Sequence, residues 1–203
     1  MAPKIVDREQ KRAEIMNAAI QVFAQNGIVK SKMIDIARKA GVGKGTIYEY
    51  FRSKEEIFAA CYSQFRRRWE ENIQDALSQT DDPEAQLRAL ITVSVEGAMQ
   101  YNEDFLGIMM DFWAEGIRSK NEDMLRIIDL KNLYTEFRAL VAGIIQKGTE
   151  RGVFRAVDAK SYASALIGAL DGVMLQMIID PQLLKWREVG QALIDAFLNG
   201  IKT

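Results

Sequence analysis

The stretch 33–51 reads MIDIARKAGVGKGTIYEYF, and its apolar residues keep helical spacing on both sides of a three-residue break. Met33, Ile36, Ala37 and Ala40 step by three and four, which gathers them on one helix face. Ile47 and Phe51 lie one turn apart in the segment that starts at Lys44. Only Gly41, Val42 and Gly43 separate the two segments. Glycine ends a helix there without the steric cost that a side chain adds in the left-handed region. Two short helices joined by a tight glycine turn make a helix-turn-helix.

The order GxGKGT within this stretch also suggests a loop that cradles phosphates. Such a loop requires GxxxxGK followed by Ser or Thr, after a buried strand. Here the order differs and an amphipathic helix precedes it, so the nucleotide-binding reading fails.

The remaining chain continues the helical pattern. Ile15, Ala18, Ala19, Val22 and Phe23 recur at helical spacing between Asp7 and Asn26, and Asn26-Gly27 is a stop signal. Ser31 is expected to cap the second helix. A long fourth helix opens at Lys54 and closes at Thr80 to Pro83, followed by helical segments over 85–101, 104–118, 121–151, 158–179 and 186–201. The chain contains three prolines in 203 residues, no alternating segment that reads as a strand, no internal repeat and no low-complexity linker.

Charge is unevenly placed. Up to Lys54 the chain carries eleven basic residues against five acidic ones, a surplus of six. The rest carries sixteen against twenty-three, a deficit of seven. A basic head on an acidic body points the head at a polyanion, because Lys and Arg that neutralise phosphates release condensed counterions. In a helix-turn-helix the second helix enters the major groove with its N-terminal residues toward the bases. Lys44, Gly45 and Thr46 occupy that turn: Lys44 donates to guanine or phosphate, Gly45 lets the backbone approach, and Thr46 offers a hydroxyl and a methyl. Tyr48 and Tyr50 each offer a ring and a hydroxyl for a phosphate, although a tyrosine at either position serves packing equally well. Ile47 and Phe51 belong to the core.

These residues carry a resemblance. Residues 8–54 resemble the DNA-binding domain of the TetR family of bacterial transcriptional repressors: a first helix ending in FAQNG, then SKMIDIARKAGV, then GKGTIYEYFRSKEEIF. The resemblance implies that Ser31 and Lys32 hold backbone phosphates at the start of the second helix. It also implies that Lys44, Thr46 and Tyr48 lie in or beside the major groove, and that Lys54 grips a phosphate. Two residues depart from the pattern: Gly43 stands where a serine cap is common, and Glu49 adds an acid to the reading helix, where solvent is its expected environment. The expected fold is therefore all-α, with an N-terminal three-helix helix-turn-helix DNA-binding domain (1–54) and a C-terminal helical ligand-binding and dimerisation domain (55–203).

One reading helix grips few base pairs, so such modules pair on two half-sites related by a two-fold axis. The last two segments are the expected dimer surface. YASALIGALDGVMLQMII is apolar on most faces and carries small residues including Gly168 and Gly172, while Val189, Leu193, Phe197 and Ile201 recur one turn apart. The resemblance implies a four-helix bundle made by these two helices and their symmetry mates. In the middle of the body, Met99, Phe105, Met109, Phe112, Trp113, Tyr134 and Phe137, with Met174 and Met177 further on, suggest an irregular apolar pocket between helices. The expected occupant is a small hydrophobic or aromatic inducer that releases the dimer from a palindromic double-stranded DNA operator.

The chain has no histidine and a single cysteine, Cys61. This removes the commonest general base, the commonest metal ligand and the usual partner of a nucleophile. No catalytic residue, metal or cofactor is expected. No run approaches the ~20 apolar residues of a membrane span and the N-terminus turns charged at once, so a cytoplasmic protein is expected. Two rival readings remain: a small-molecule sensor or carrier whose DNA-binding head has degraded, with Gly43 and Glu49 as its signs, and an enzyme that uses the apolar cavity.

Overall fold

A computed structural model describes residues 8–100, 103–180, 182 and 184–203, with side chains described at 8–97, 105–180, 182 and 184–203. Among them are ten helices: α1 (Arg8–Lys30), α2 (Met33–Lys39), α3 (Lys44–Tyr50), α4 (Lys54–Ser78), α5 (Pro83–Gln100), α6 (Glu103–Ser119), α7 (Glu122–Ile127), α8 (Leu130–Glu150), α9 (Ala159–Ile179) and α10 (Trp186–Ile201). The single β-bridge among the described residues joins Phe154 to Lys202 and builds no sheet. The all-α expectation holds.

Two compact units share the chain. Of the described residues, the head unit takes those within 8–66 and 103–128, and the body unit those within 67–100 and 129–203. The head thus combines α1 to α3 and the first part of α4 with α6 and α7. Its core gathers Ile15, Ala19 and Phe23 of α1 with Ile36, Ile47, Phe51 and Phe58, all almost fully buried. α6 packs along α1, and Phe112 of α6 stacks on Phe58 of α4 at 4.1 Å between ring centres.

Chemistry at the helix ends explains most boundaries. Gly27 adopts φ +69°, ψ 157° and kinks α1, leaving a last turn over 28–30. α2 ends as a Schellman motif: Gly41 takes φ +65°, its N–H donates to the Arg38 carbonyl, and the Val42 N–H donates to the Ala37 carbonyl. α8 ends in the same way at Gly152, with φ +71° and N–H donations from Gly152 to Thr149 and from Val153 to Gly148. Ser53 caps α4 by accepting from the Glu56 N–H at 3.2 Å, while the Glu56 carboxylate accepts from the Arg52 N–H.

Two boundaries differ from the sequence expectation. Ser31 does not cap α2; the N-cap is Lys32 and it makes no side-chain cap bond. The Ser31 hydroxyl instead donates backward to the Gly27 carbonyl at 2.7 Å. The segment expected as one helix over 121–151 is two, because Asp129 turns its carboxylate to the Asn132 N–H and starts α8 afresh.

In the body unit, α5, α8, α9 and α10 surround one apolar core that includes Leu90, Ile91, Val141, Ile145, Leu166 and Leu198. Gly190 on α10 is buried and faces Val95 of α5, where an added Cβ would make an ordinary contact at 3.7 Å. Asp81, beyond α4, accepts from Lys147 and Arg151 at the end of α8, and the Lys147 hydrogen bond followed by that of Arg151 pulls its pKa down to about 2.

Candidate nucleic-acid interface and control helices

The reading helix α3 rests on Ile47, which is fully buried, and ends at Phe51, whose ring lies under the Arg12 guanidinium at 4.8 Å. With that face fixed inward, the opposite face is open. Lys44, Gly45 and Glu49 are exposed, Thr46 is partly so, and Tyr48 shows 48% of its surface. Lys32, at the start of α2, is exposed as well. Nothing lies within 4 Å of a Cβ placed at Gly45, so the start of α3 is unobstructed. Tyr50 is half-buried beside Arg8, whose guanidinium sits 5.9 Å from its ring centre.

Gly43 serves as the N-cap of α3 in an extended conformation, and its carbonyl accepts from the Ile47 N–H. The missing serine cap therefore does not prevent the helix from starting, which removes the structural ground for a degraded head. Glu49 faces solvent, as expected.

Two expected phosphate ligands have main-chain partners within the chain. Ser31 is 3% exposed and its hydroxyl is committed to main-chain carbonyls of α1. Its side chain packs the link between α1 and α2. The Lys54 ammonium donates to the carbonyls of Ile28 at 2.7 Å, Val29 at 2.7 Å and Ser31 at 3.1 Å. Those carbonyls lie at the end of α1 and just beyond it, where a helix leaves acceptors unpaired and a cation is favoured. The proximity of a lysine to a helix end in space was not readable from the sequence.

The expected pocket residues fall into both units. Phe105, Met109 and Phe112 are buried in the head, with Trp113 half-buried beside them. Phe105 and Phe112 join Phe58 and Phe65 in a ring cluster. Tyr134, Phe137, Met174 and Met177 belong to the body, and the side chain of Met99 lies outside the described residues. In the body, Phe137 lines a cavity of about 220 Å³ between α4 and α8. Its other walls are residues that sequence reasoning missed: Trp69, Ile73 and Leu77 from α4, Leu133 and Leu140 from α8, with Glu70, Gln74 and Glu136. Trp69 meets Phe137 edge-on at 5.1 Å. The signal available beforehand was the apolar spacing of Trp69, Ile73 and Leu77 along α4.

Nearby, Tyr134 hydrogen-bonds Asp171 of α9; burial, then the Asp171 charge, pushes the phenol up to about 12. Burial also raises Asp171, against the opposing pull of the Tyr134 hydrogen bond.

The expected dimer residues lie on α9 and α10. A Cβ at Gly168 or Gly172 would meet nothing within 4 Å, and Val189, Leu193 and Phe197 are half-buried. Leu175 and Ile179 extend the open face of α9, at 48% and 72% exposure. The sequence expectation on membrane spans needs correction here: α9 is long and apolar enough to cross a membrane, with mean hydropathy 1.6 over an 18-residue window. Asp171 and Gln176 interrupt its apolar run without lowering the average enough to exclude it.

A glycine-turned helix-turn-helix with an open reading helix, joined to a helical body, defines a DNA-binding transcriptional regulator. The family description "Bacterial regulatory proteins, tetR family" matches residues 15–61, and "BetI-type transcriptional repressor, C-terminal" matches residues 83–202. The chain belongs to the TetR family of ligand-responsive transcriptional regulators, which are not enzymes. It is similar to the fatty acid metabolism regulator protein of Bacillus subtilis, at 23% identity over 96% of this chain and 97% of that one. The transcriptional repressor KstR2 of Rhodococcus jostii is 30% identical over 72% of this chain and 69% of its own length. Among solved structures, the fatty acid degradation regulator FadR from Bacillus halodurans matches with TM-score 0.75 and 23% identity, over 94% of this chain and 95% of that one.

Proposed function

We propose that the chain represses transcription in the cytoplasm as a homodimer on a two-fold symmetric operator, and that a small apolar or aromatic ligand in the body releases it. The observation that carries the dimer is α9. Only 22% of its apolar window is buried within the chain, and Gly168, Gly172, Leu175 and Ile179 form an open face. A face of this composition left in water opposes stability, and a second copy covers it at no cost in new sequence.

Lys32, Lys44, Thr46, Tyr48 and Tyr50 supply the DNA contacts. Lys44 at the first turn of α3 reaches a base edge or phosphate, and Gly45 admits the DNA backbone beside it. The ligand reading rests on the cavity between α4 and α8, whose walls are mostly apolar. At about 220 Å³ it is smaller than the ~300–1,000 Å³ of sites for drug-sized molecules, so it suits one aromatic ring or a short aliphatic segment. The relatives named for fatty acid metabolism favour the same chemistry. Because one wall is α4, which also begins in the head unit, a ligand acts on DNA binding to the extent that it prefers one position of α4 over another.

The test is a selection of random duplexes on the purified protein, with binding followed across salt. A two-fold symmetric site supports the proposal and yields a probe for screening ligands by release. A site without symmetry, or binding by a single chain, overturns it. A ligand found by release should fail to act on Leu140→Trp, which fills the cavity, while operator binding persists.

A further inference from the structure

We infer that Lys54 is a positioning residue: its ammonium latches the end of α1 to the start of α4 and so sets the orientation in which the helix-turn-helix is presented to DNA. The inference rests on the placement of α3 as the reading helix. Lys54 is the first residue of α4, close to Ser53, whose side chain caps that helix. A cation in the first turn of a helix is disfavoured by the helix dipole. The side chain escapes that penalty by reaching 23 to 26 residues back along the chain to the Ile28, Val29 and Ser31 carbonyls.

All three N–H bonds of the ammonium are thereby used, and an ammonium has no fourth donor for a phosphate. The carbonyls it holds belong to the short turn that follows the kink at Gly27 and to the link into α2. The Ser31 hydroxyl ties the same segment to the Gly27 carbonyl from the other side. Everything between residues 31 and 54, which is the whole helix-turn-helix, is therefore a loop closed at its two ends by one side chain. A shift of the α4 start passes through Lys54 to the α1–α2 link and tilts α2 and α3 together.

The experiment compares wild type with Lys54→Met, which keeps the length and removes the donors, and Lys54→Arg, which restores charge and donors. Each is measured well below its own Tm for affinity to the selected operator, affinity to random duplex, and the slope of both against salt. Amide exchange across residues 28–35 of the free proteins is followed in parallel. The latch predicts for Lys54→Met faster exchange in that segment and an operator affinity reduced about tenfold, as for the loss of charge-assisted hydrogen bonds. Random-duplex binding and the salt slope stay close to wild type, and Lys54→Arg recovers most of the discrimination. If instead both duplexes weaken alike and the slope falls by about 0.9, Lys54 is a phosphate ligand and the inference is overturned. A lowered Tm with unchanged discrimination makes the residue merely structural and overturns it equally.

Should Lys54→Met not fold, hydrogen-bond couplings from the wild-type Lys54 ammonium decide in the operator complex. Couplings to main-chain carbonyls support the latch, and couplings to phosphorus overturn it. Lys44→Ala on the same duplexes serves as the control. If it leaves discrimination unchanged, the placement of the reading helix has failed, independently of Lys54.

Discussion

Cys61 lies on α4 with its thiol directed at the Met16 carbonyl of α1, 3.9 Å away, and is 5% exposed. Burial pushes its pKa up to about 12, against an opposing pull from Arg12. A thiol so raised presents almost no thiolate at neutral pH. A disulfide reagent at pH 8 should therefore leave the native protein unlabelled and modify one thiol per chain in denaturant; rapid native labelling would show the head unit opening around α1 and α4. Tyr134 makes a second prediction. The folded state holds the phenolic proton that the unfolded chain releases near pH 10, so the stability this group contributes is complete below pH 10 and lost as pH rises through about 12. Ultraviolet titration should show a late phenolate that is absent in Tyr134→Phe. At this scale the sequence was legible where a residue acts on its neighbours, as Gly41 does. It was illegible at Ser31 and Lys54, whose residue types suit phosphate but whose partners lie on the main chain of α1 and the residue just after it.

At the scale of elements, the sharpest constraint is where α8 meets its own exit turn. A Cβ on Gly148 would stand 2.0 Å from the Phe154 ring, which is almost fully buried. The clash falls on a buried ring, so Gly148→Ala should cost about 1–3 kcal/mol by overpacking. Calorimetry should register a fall of about 2–4 °C in Tm per kcal/mol. An unchanged Tm would mean that the Phe154 ring has another place to go. The α7–α8 break shows what pattern reading misses: apolar spacing continues through Ile127 and Ile128, and only the cap made by Asp129 interrupts the helix. By contrast, the Gly41 turn was legible because glycine there performs a task no other residue performs as cheaply. The helix at 104–118 was also legible, but its place in the head beside α1 was not, since that packing joins segments some eighty residues apart.

For the molecule as a whole, the proposed dimer puts the open face of α9 at the association surface. Leu175→Glu places a charge on a side chain already 48% exposed within the chain, so the fold of each copy should be little changed. Light scattering should nevertheless read 23.0 kDa in place of twice that mass, and operator binding should weaken with it. An unchanged mass would move the interface off α9.

The sequence by itself determined the helical class, the helix-turn-helix, its basic bias and which face of α3 is buried. Each of these depends on residues within a few turns of one another, where periodicity and turn chemistry act directly. Only the tertiary structure decided that Ser31 is buried and that Lys54 meets main-chain carbonyls, that α6 and α7 join the head, and that a cavity opens between α4 and α8 at Trp69 and Phe137. These features join segments far apart in the chain, and a side chain's residue type does not state which distant carbonyl or ring it will meet.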